Sequence, residues 1–178
     1  MQTHRIEANL HPSIKKLAAK LGADGPVKTL STPRYVKAIL GGIYVIKTTN
    51  AAYVWEHPYY PQFYVPRSDL YEQSTNRSFT IEEVQDIKSE GGKPVATQLK
   101  ISIPNSTSST DQVVAFNDKL SGRAECLQGL VKINFADMDQ WFEEDTPIYV
   151  HPKVRVLKLI GSLQSYCANA FTRTPSSA

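Results

Sequence analysis

The stretch Tyr35-Val36-Lys37-Ala38-Ile39-Leu40-Gly41-Gly42-Ile43-Tyr44-Val45-Ile46-Lys47-Thr48 decides the fold class. Both halves are rich in β-branched and aromatic residues, the types that suit a pleated, half-buried surface. Gly41-Gly42 falls between them, where a two-residue hairpin turn needs positive φ and glycine supplies it without strain. The stretch therefore reads as two antiparallel strands, 35–40 and 43–48, joined by a tight turn.

Working outward, residues 51–56 read as a third strand. Phe63-Tyr64-Val65 reads as another, bracketed by Pro61 and Pro66. Proline cannot donate to a ladder, so this strand is expected at a sheet edge or bent at both ends. Further strands are expected at 95–103, 112–116, 130–135, 148–150 and 154–160. Helical signals are few. Ile14, Leu17, Ala18 and Leu21 repeat at helical spacing over 9–21, with Pro12 suited to the first turn and Gly22 to the stop. Thr80 and Glu83 form a capping-box pattern, and Ile81, Val84 and Ile87 predict a short helix face ending at Gly91-Gly92. Asp137 with Gln140 predicts a third helix, with Met138, Trp141 and Phe142 on one face and Trp141 buried. The serine- and threonine-rich stretch 104–111 reads as a mobile loop, and the Ser/Pro/Thr tail from Thr172 as disordered.

The expected fold is thus mainly β, a compact single-domain β fold with a short N-terminal helix and one or two short helices. A βαβ arrangement does not fit so many short strands. The expected organisation is an N-terminal helical extension over 1–33, one β-rich domain over 34–166 and a flexible tail over 167–178.

The 178 residues suit one domain with a sizeable core, and a hydrophobic fraction of 41% argues against wholesale disorder. A net charge of +3, with the basic residues scattered, argues against nucleic acid as a partner. Cys126 and Cys167 form no C-x-x-C, and a disulfide between them would need an oxidising compartment. Residues 1–10 hold no apolar leader, and no run approaches the ~18 apolar residues of a membrane span. The expectation is a cytoplasmic protein with no membrane partner.

Two blocks concentrate the chemistry. Residues 55–67 hold three tyrosines, three prolines, His57 and Arg67. Prolines stiffen a backbone that must present aromatic rings, an imidazole exchanges protons near neutrality, and a guanidinium grips carboxylate or phosphate with two parallel bonds. The competing reading is an aromatic turn that packs the core. Residues 141–152 crowd Glu143, Glu144 and Asp145 at the end of the expected helix, where the dipole disfavours acids. Such local conflict marks functional sites, and a crowded carboxylate can hold a proton for general acid work. Its competing reading is a solvated acidic turn paired with Arg67 or Arg123.

The candidate catalytic residues are therefore His57, Arg67, Glu144 and His151. Trp55, Tyr59, Tyr64 and Trp141 are the candidate substrate-binding walls. The two blocks are expected to converge, with Arg67 as the cation facing the acids. A metal site from His57, His151 and Glu143 or Asp145 lacks ligand spacing, so none is expected. No G-x-S-x-G, G-x-G-x-x-G or P-loop is present, so neither a nucleophilic serine nor a cofactor is expected.

His57-Pro58, Phe63-Tyr64-Val65-Pro66-Arg67-Ser68-Asp69, Gly129-Leu130-Val131-Lys132-Ile133-Asn134-Phe135, Asp139, Trp141, Glu143-Glu144-Asp145 and Val150-His151-Pro152 together resemble the domain-of-unknown-function family four-two-seven. The likeness runs over about residues 34–160. Tyr53-Val54-Trp55-Glu56-His57 is most similar to fungal members. The resemblance implies an Mss4-like fold with tent- or barrel-like sheets, and the family also carries a nucleotidyltransferase-type name.

The leading expectation is a small cofactor-independent enzyme of isomerase, lyase or cyclase type, acting on a small organic molecule in a fungal biosynthetic pathway. The first alternative is a non-catalytic module that binds a small ligand or a protein. The weaker alternative is a nucleotide-handling protein. A small-molecule ligand is the expected partner, and a homodimer stays open.

Overall fold

In a computed structural model, which describes residues 13–75 and 78–152, eleven strands and two α-helices follow one another along the chain. They are α1 (Ile14–Asp24), β1 (Lys28–Ser31), β2 (Val36–Leu40), β3 (Ile43–Thr48), β4 (Ala52–Trp55), β5 (Gln62–Pro66), α2 (Arg67–Thr75), β6 (Thr80–Lys88), β7 (Pro94–Ser102), β8 (Ser109–Phe116), β9 (Leu130–Ile133), β10 (Gln140–Glu143) and β11 (Thr146–Ile148). Short 3-10 turns at Gly122–Leu127 and Phe135–Asp137 precede β9 and β10.

The β2–β3 hairpin forms as its sequence predicts, with Gly41 and Gly42 both at positive φ, 57° and 77°. It is the centre of a four-stranded antiparallel sheet ordered β11-β10-β2-β3. The other strands form a seven-stranded antiparallel sheet ordered β1-β4-β5-β9-β8-β7-β6.

Side chains alternate across a strand, and both faces of the large sheet are covered. Tyr53, Phe63, Val65, Val113 and Val131 face one core, shared with Val36, Ala38 and Trp141 of the small sheet. Their neighbours Ala52, Val54, Tyr64, Val114 and Phe116 face a second core, closed by Ile14, Ala18 and Leu21 of α1 and by Ala124 and Leu127. Strands buried on both faces read as nearly continuous apolar runs, which is why β4, β5 and β8 were easy to find. The protein is mainly β, with two antiparallel sheets in one compact domain. Residues 28–31 are the edge strand β1, and α1 packs directly on the sheet.

Several local expectations are corrected. The helix does not stop at Gly22. It runs to Asp24 and closes at Gly25, whose N–H bonds the Leu21 carbonyl. Gly22 is needed where it lies because a Cβ there would sit 2.5 Å from Val95. Residues 80–88 are strand rather than helix. Gly91-Gly92 belongs to a hairpin turn in which Ser89 N–H bonds Lys93 O at 2.9 Å. A register shift between Glu83 and Gln85 sends Ile81 to one core and Ile87 to the other, and the bulge imitates helical spacing.

Residues 140–143 are strand as well. The open edge of β2 offers a ladder to β10, and β11 adds a second, while an isolated one-turn helix is intrinsically unfavourable. Trp141 is buried as expected, but from a strand. β5 is interior, between β4 and β9, because Pro66 is its last residue and Pro61 lies before it. Helix α2 had no sequence signal beyond Leu70, which is fully buried under the small sheet. The expected strand at 154–160 and the tail from 167 lie outside the described residues. Among the described residues no helix is long and apolar enough to cross a membrane.

Candidate functional site

Antiparallel pairing of β2 with β10 sets Val36 opposite Glu143. This brings Arg34, just before β2, beside the acidic turn that joins β10 to β11. Arg34 Nη1 donates to Glu143 Oε2 at 3.0 Å. The Tyr53 hydroxyl, arriving from β4, donates to the other oxygen, Oε1. Glu143 is thus held from both sides, with its side chain only 11% exposed against 46% for Arg34. Glu143, then Tyr53, raises the Arg34 pKa above its ordinary value. Burial, then the Glu143 carboxylate, raises that of the Tyr53 phenol.

The turn itself is constrained. Glu144 has φ +56°, a left-handed conformation that favours glycine. Tyr35 holds it at two points: Glu144 N–H bonds Tyr35 O at 2.7 Å, and Tyr35 N–H bonds Glu144 Oε1 at 2.9 Å. Asp145 pairs with Lys37 at 3.2 Å. The three acids do not end a helix, and their partners are Arg34, Tyr35 and Lys37 rather than Arg67.

Beyond β11 the chain turns back, and Tyr60 joins the two sequence blocks. Its ring stacks on His151 (4.2 Å, 12°) and meets His57 edge-on (4.4 Å, 82°). His151 Nδ1 lies 3.0 Å from Pro152 O. A carbonyl only accepts, so Nδ1 carries a proton, and Nε2 is the nitrogen left to accept or release one. His57 is the reverse, since its Nδ1 accepts from Tyr59 N–H at 3.3 Å. A groove of ≈ 590 Å³ is lined by Arg34, Glu143, Glu144 and the stretch Thr146–His151. A guanidinium, two carboxylates and an oriented imidazole therefore share one half-open space.

The sequence-derived residues divide. Glu144 and His151 line this groove, and His57 reaches it through Tyr60. Trp55 is partly buried under Lys28, whose Nζ sits 4.9 Å above the indole ring, and Tyr59 is 84% exposed. Trp141 lies between the sheets, stacked on Phe135 and Phe63, its Nε1 donating to Phe135 O at 3.0 Å. Arg67 is elsewhere, donating to Phe116 O at 3.3 Å, with its Nε buried and unpartnered among the described residues. Tyr64 is fully buried on the helix side of the large sheet. Its hydroxyl donates to Glu56 Oε1 at 3.0 Å, and Lys132 binds the same oxygen. Arg34 and Tyr53 were missed because only strand pairing brings them to Glu143, and Tyr60, inside the first block, was not singled out because its stacking on His151 is a tertiary contact. Among the described residues no cluster of His, Cys, Asp and Glu is gathered to hold a metal.

Fold and groove define the class: a two-sheet antiparallel β domain with a polar, aromatic-flanked groove on its smaller sheet. The chain belongs to the family described as domain of unknown function (DUF427), NTP_transf_9, whose model matches residues 28–144. No curated protein and no solved structure matches it.

Proposed function

We propose that the chain is a small acid–base enzyme of isomerase, lyase or cyclase type, acting on a small organic molecule in the Arg34–His151 groove. One observation carries this: an imidazole with its tautomer fixed by Pro152 O and its plane fixed by Tyr60 lines the same groove as Arg34. His151 Nε2 takes a proton from an activated C–H. The electron pair moves onto a conjugated oxygen, where the remaining Arg34 N–H groups stabilise it. Return of the proton to a different carbon completes an isomerisation. Glu143 lines the groove and holds the guanidinium, and Tyr53, outside the lining, is a positioning residue that acts through Glu143.

The test is solvent deuterium incorporation from D2O into a library of small carbonyl compounds, read by mass spectrometry. Wild-type protein labels at least one compound, and His151→Gln lowers the rate by about 10²–10⁴ with the circular dichroism unchanged. Equal labelling by the variant removes His151 from the chemistry.

A non-catalytic binding module is the second reading. It is favoured by Tyr59, Tyr149 and Val150, which are 84%, 77% and 69% exposed, since clustered exposed apolar side chains mark binding surfaces. Binding without labelling by any compound would select it. A cytoplasmic location and, from the resemblance to fungal members, a fungal biosynthetic route complete the proposal.

A further inference from the structure

We infer that the groove selects a small organic cation, an amine in its ammonium form, with Glu144 as counter-ion. This rests on the groove being the ligand site, and it adds the class of ligand. The charge balance of the lining decides it. Glu143 is the partner of Arg34 and Tyr53, and both its oxygens are occupied. Asp145 has Lys37. Among the described residues the lining thus holds one guanidinium against two carboxylates, and Glu144 is the carboxylate not hydrogen-bonded to Arg34: its Oε1 accepts the Tyr35 N–H, and its Oε2 takes no hydrogen bond from the described residues.

The walls suit the same ligand. Tyr149, 77% exposed, lines the groove together with the His151 ring that stacks on Tyr60. Aromatic faces attract ammonium groups, most strongly where water is partly excluded. An anion would meet Glu144 directly, and Arg34, the one cation in the lining among the described residues, already pairs with a carboxylate. Glu144 is also fixed in space by its two bonds to Tyr35, so its free oxygen is preorganised.

The experiment uses three probes of one shape and three charges: benzylammonium, benzyl alcohol and benzoate. Binding is read from the backbone amide shifts of Tyr149, Val150 and His151 in the full chain. Benzylammonium is expected to bind about tenfold or more tighter than benzoate. Glu144→Gln keeps an acceptor for Tyr35 N–H, so the turn survives while the charge is lost. That variant is expected to lose the preference, weakening benzylammonium by about tenfold. Tyr149→Ala weakens it further by removing a π wall. Equal or tighter binding of benzoate overturns the cation inference and leaves the groove as a ligand site. An unchanged benzylammonium affinity in Glu144→Gln does the same. Silence of these amides to all three probes overturns both the inference and the site beneath it.

Discussion

Two clusters in this molecule have the same chemistry and opposite surroundings. In each, a tyrosine hydroxyl donates to a glutamate that also meets a cation: Tyr53–Glu143–Arg34 and Tyr64–Glu56–Lys132. Tyr53 on β4 and Tyr64 on β5 point to opposite faces of the large sheet, so one cluster opens to the groove while the other lies under α1 and the Gly122–Leu127 turn. The cations differ accordingly. The Arg34 side chain is 46% exposed, and Lys132 is 8% exposed with Glu56 at 9%. Residue types alone do not separate the clusters; the first opens on a groove, whereas the charged pair of the second is buried. The second is a buried polar network in which every charge has its partner.

The largest effect expected from this contrast is on stability, at the sealed cluster. Lys132→Met alone leaves Glu56 buried without its cation and should cost about 3–5 kcal/mol by urea unfolding. Adding Glu56→Leu and Tyr64→Phe together should restore most of that loss, because apolar groups then replace the pair and no buried hydroxyl is left without an acceptor. A small effect of the single change would mean that water reaches Lys132, and the contrast between the clusters would collapse.

Burial also separated what could be read from sequence from what could not. The β2–β3 hairpin was legible because Gly41-Gly42 and two apolar runs determine it locally. The burial of Trp141 was expected from a helix face shared with Met138 and Phe142; the burial holds but the face does not, because along a strand Phe142 turns away from the core that Met138 and Trp141 enter. The strand was not legible, because β10 exists only through pairing with β2, more than 90 residues earlier. The same pairing assembles the groove. Glu144 and His151 stood out as local oddities, whereas Arg34 and Tyr53 became partners of Glu143 only through the register. Tyr64 looked like a wall residue because its block is aromatic, and alternation along β5 turned it inward. The bulge at Glu83–Gln85 gave β6 a helical period, so pattern alone misled there.

A moderate effect is expected at high pH. Burial first, then the neighbouring glutamate, raises the pKa of both phenols in the folded protein, that of Tyr64 well above its ordinary value. In the unfolded chain they ionise near ~10. Stability is therefore fully present below about pH 10 and falls as pH climbs toward the folded values, by roughly 1.4 kcal/mol per pH unit for Tyr64. Tyr64→Phe should flatten the alkaline limb of the stability–pH curve more than Tyr53→Phe does. The reverse order would place Tyr53 deeper than Tyr64.

The smallest effect belongs to the rim. Asp145 is fully exposed, and its bond to Lys37 is a surface pair screened by water and salt. Asp145→Asn should leave the unfolding midpoint and probe binding unchanged. A clear loss of either would extend the site beyond Glu144.

The most direct test of the central claim, that the open cluster works and the sealed one supports, sets two variants side by side. Solvent deuterium incorporation is measured per folded molecule for His151→Gln and for Glu56→Gln. The account predicts that His151→Gln loses about 10²–10⁴ in rate at unchanged stability, while Glu56→Gln loses stability and keeps the wild-type rate per folded molecule. Abolished labelling in Glu56→Gln with full labelling in His151→Gln would contradict it, and would move the chemistry to the buried side of the sheet.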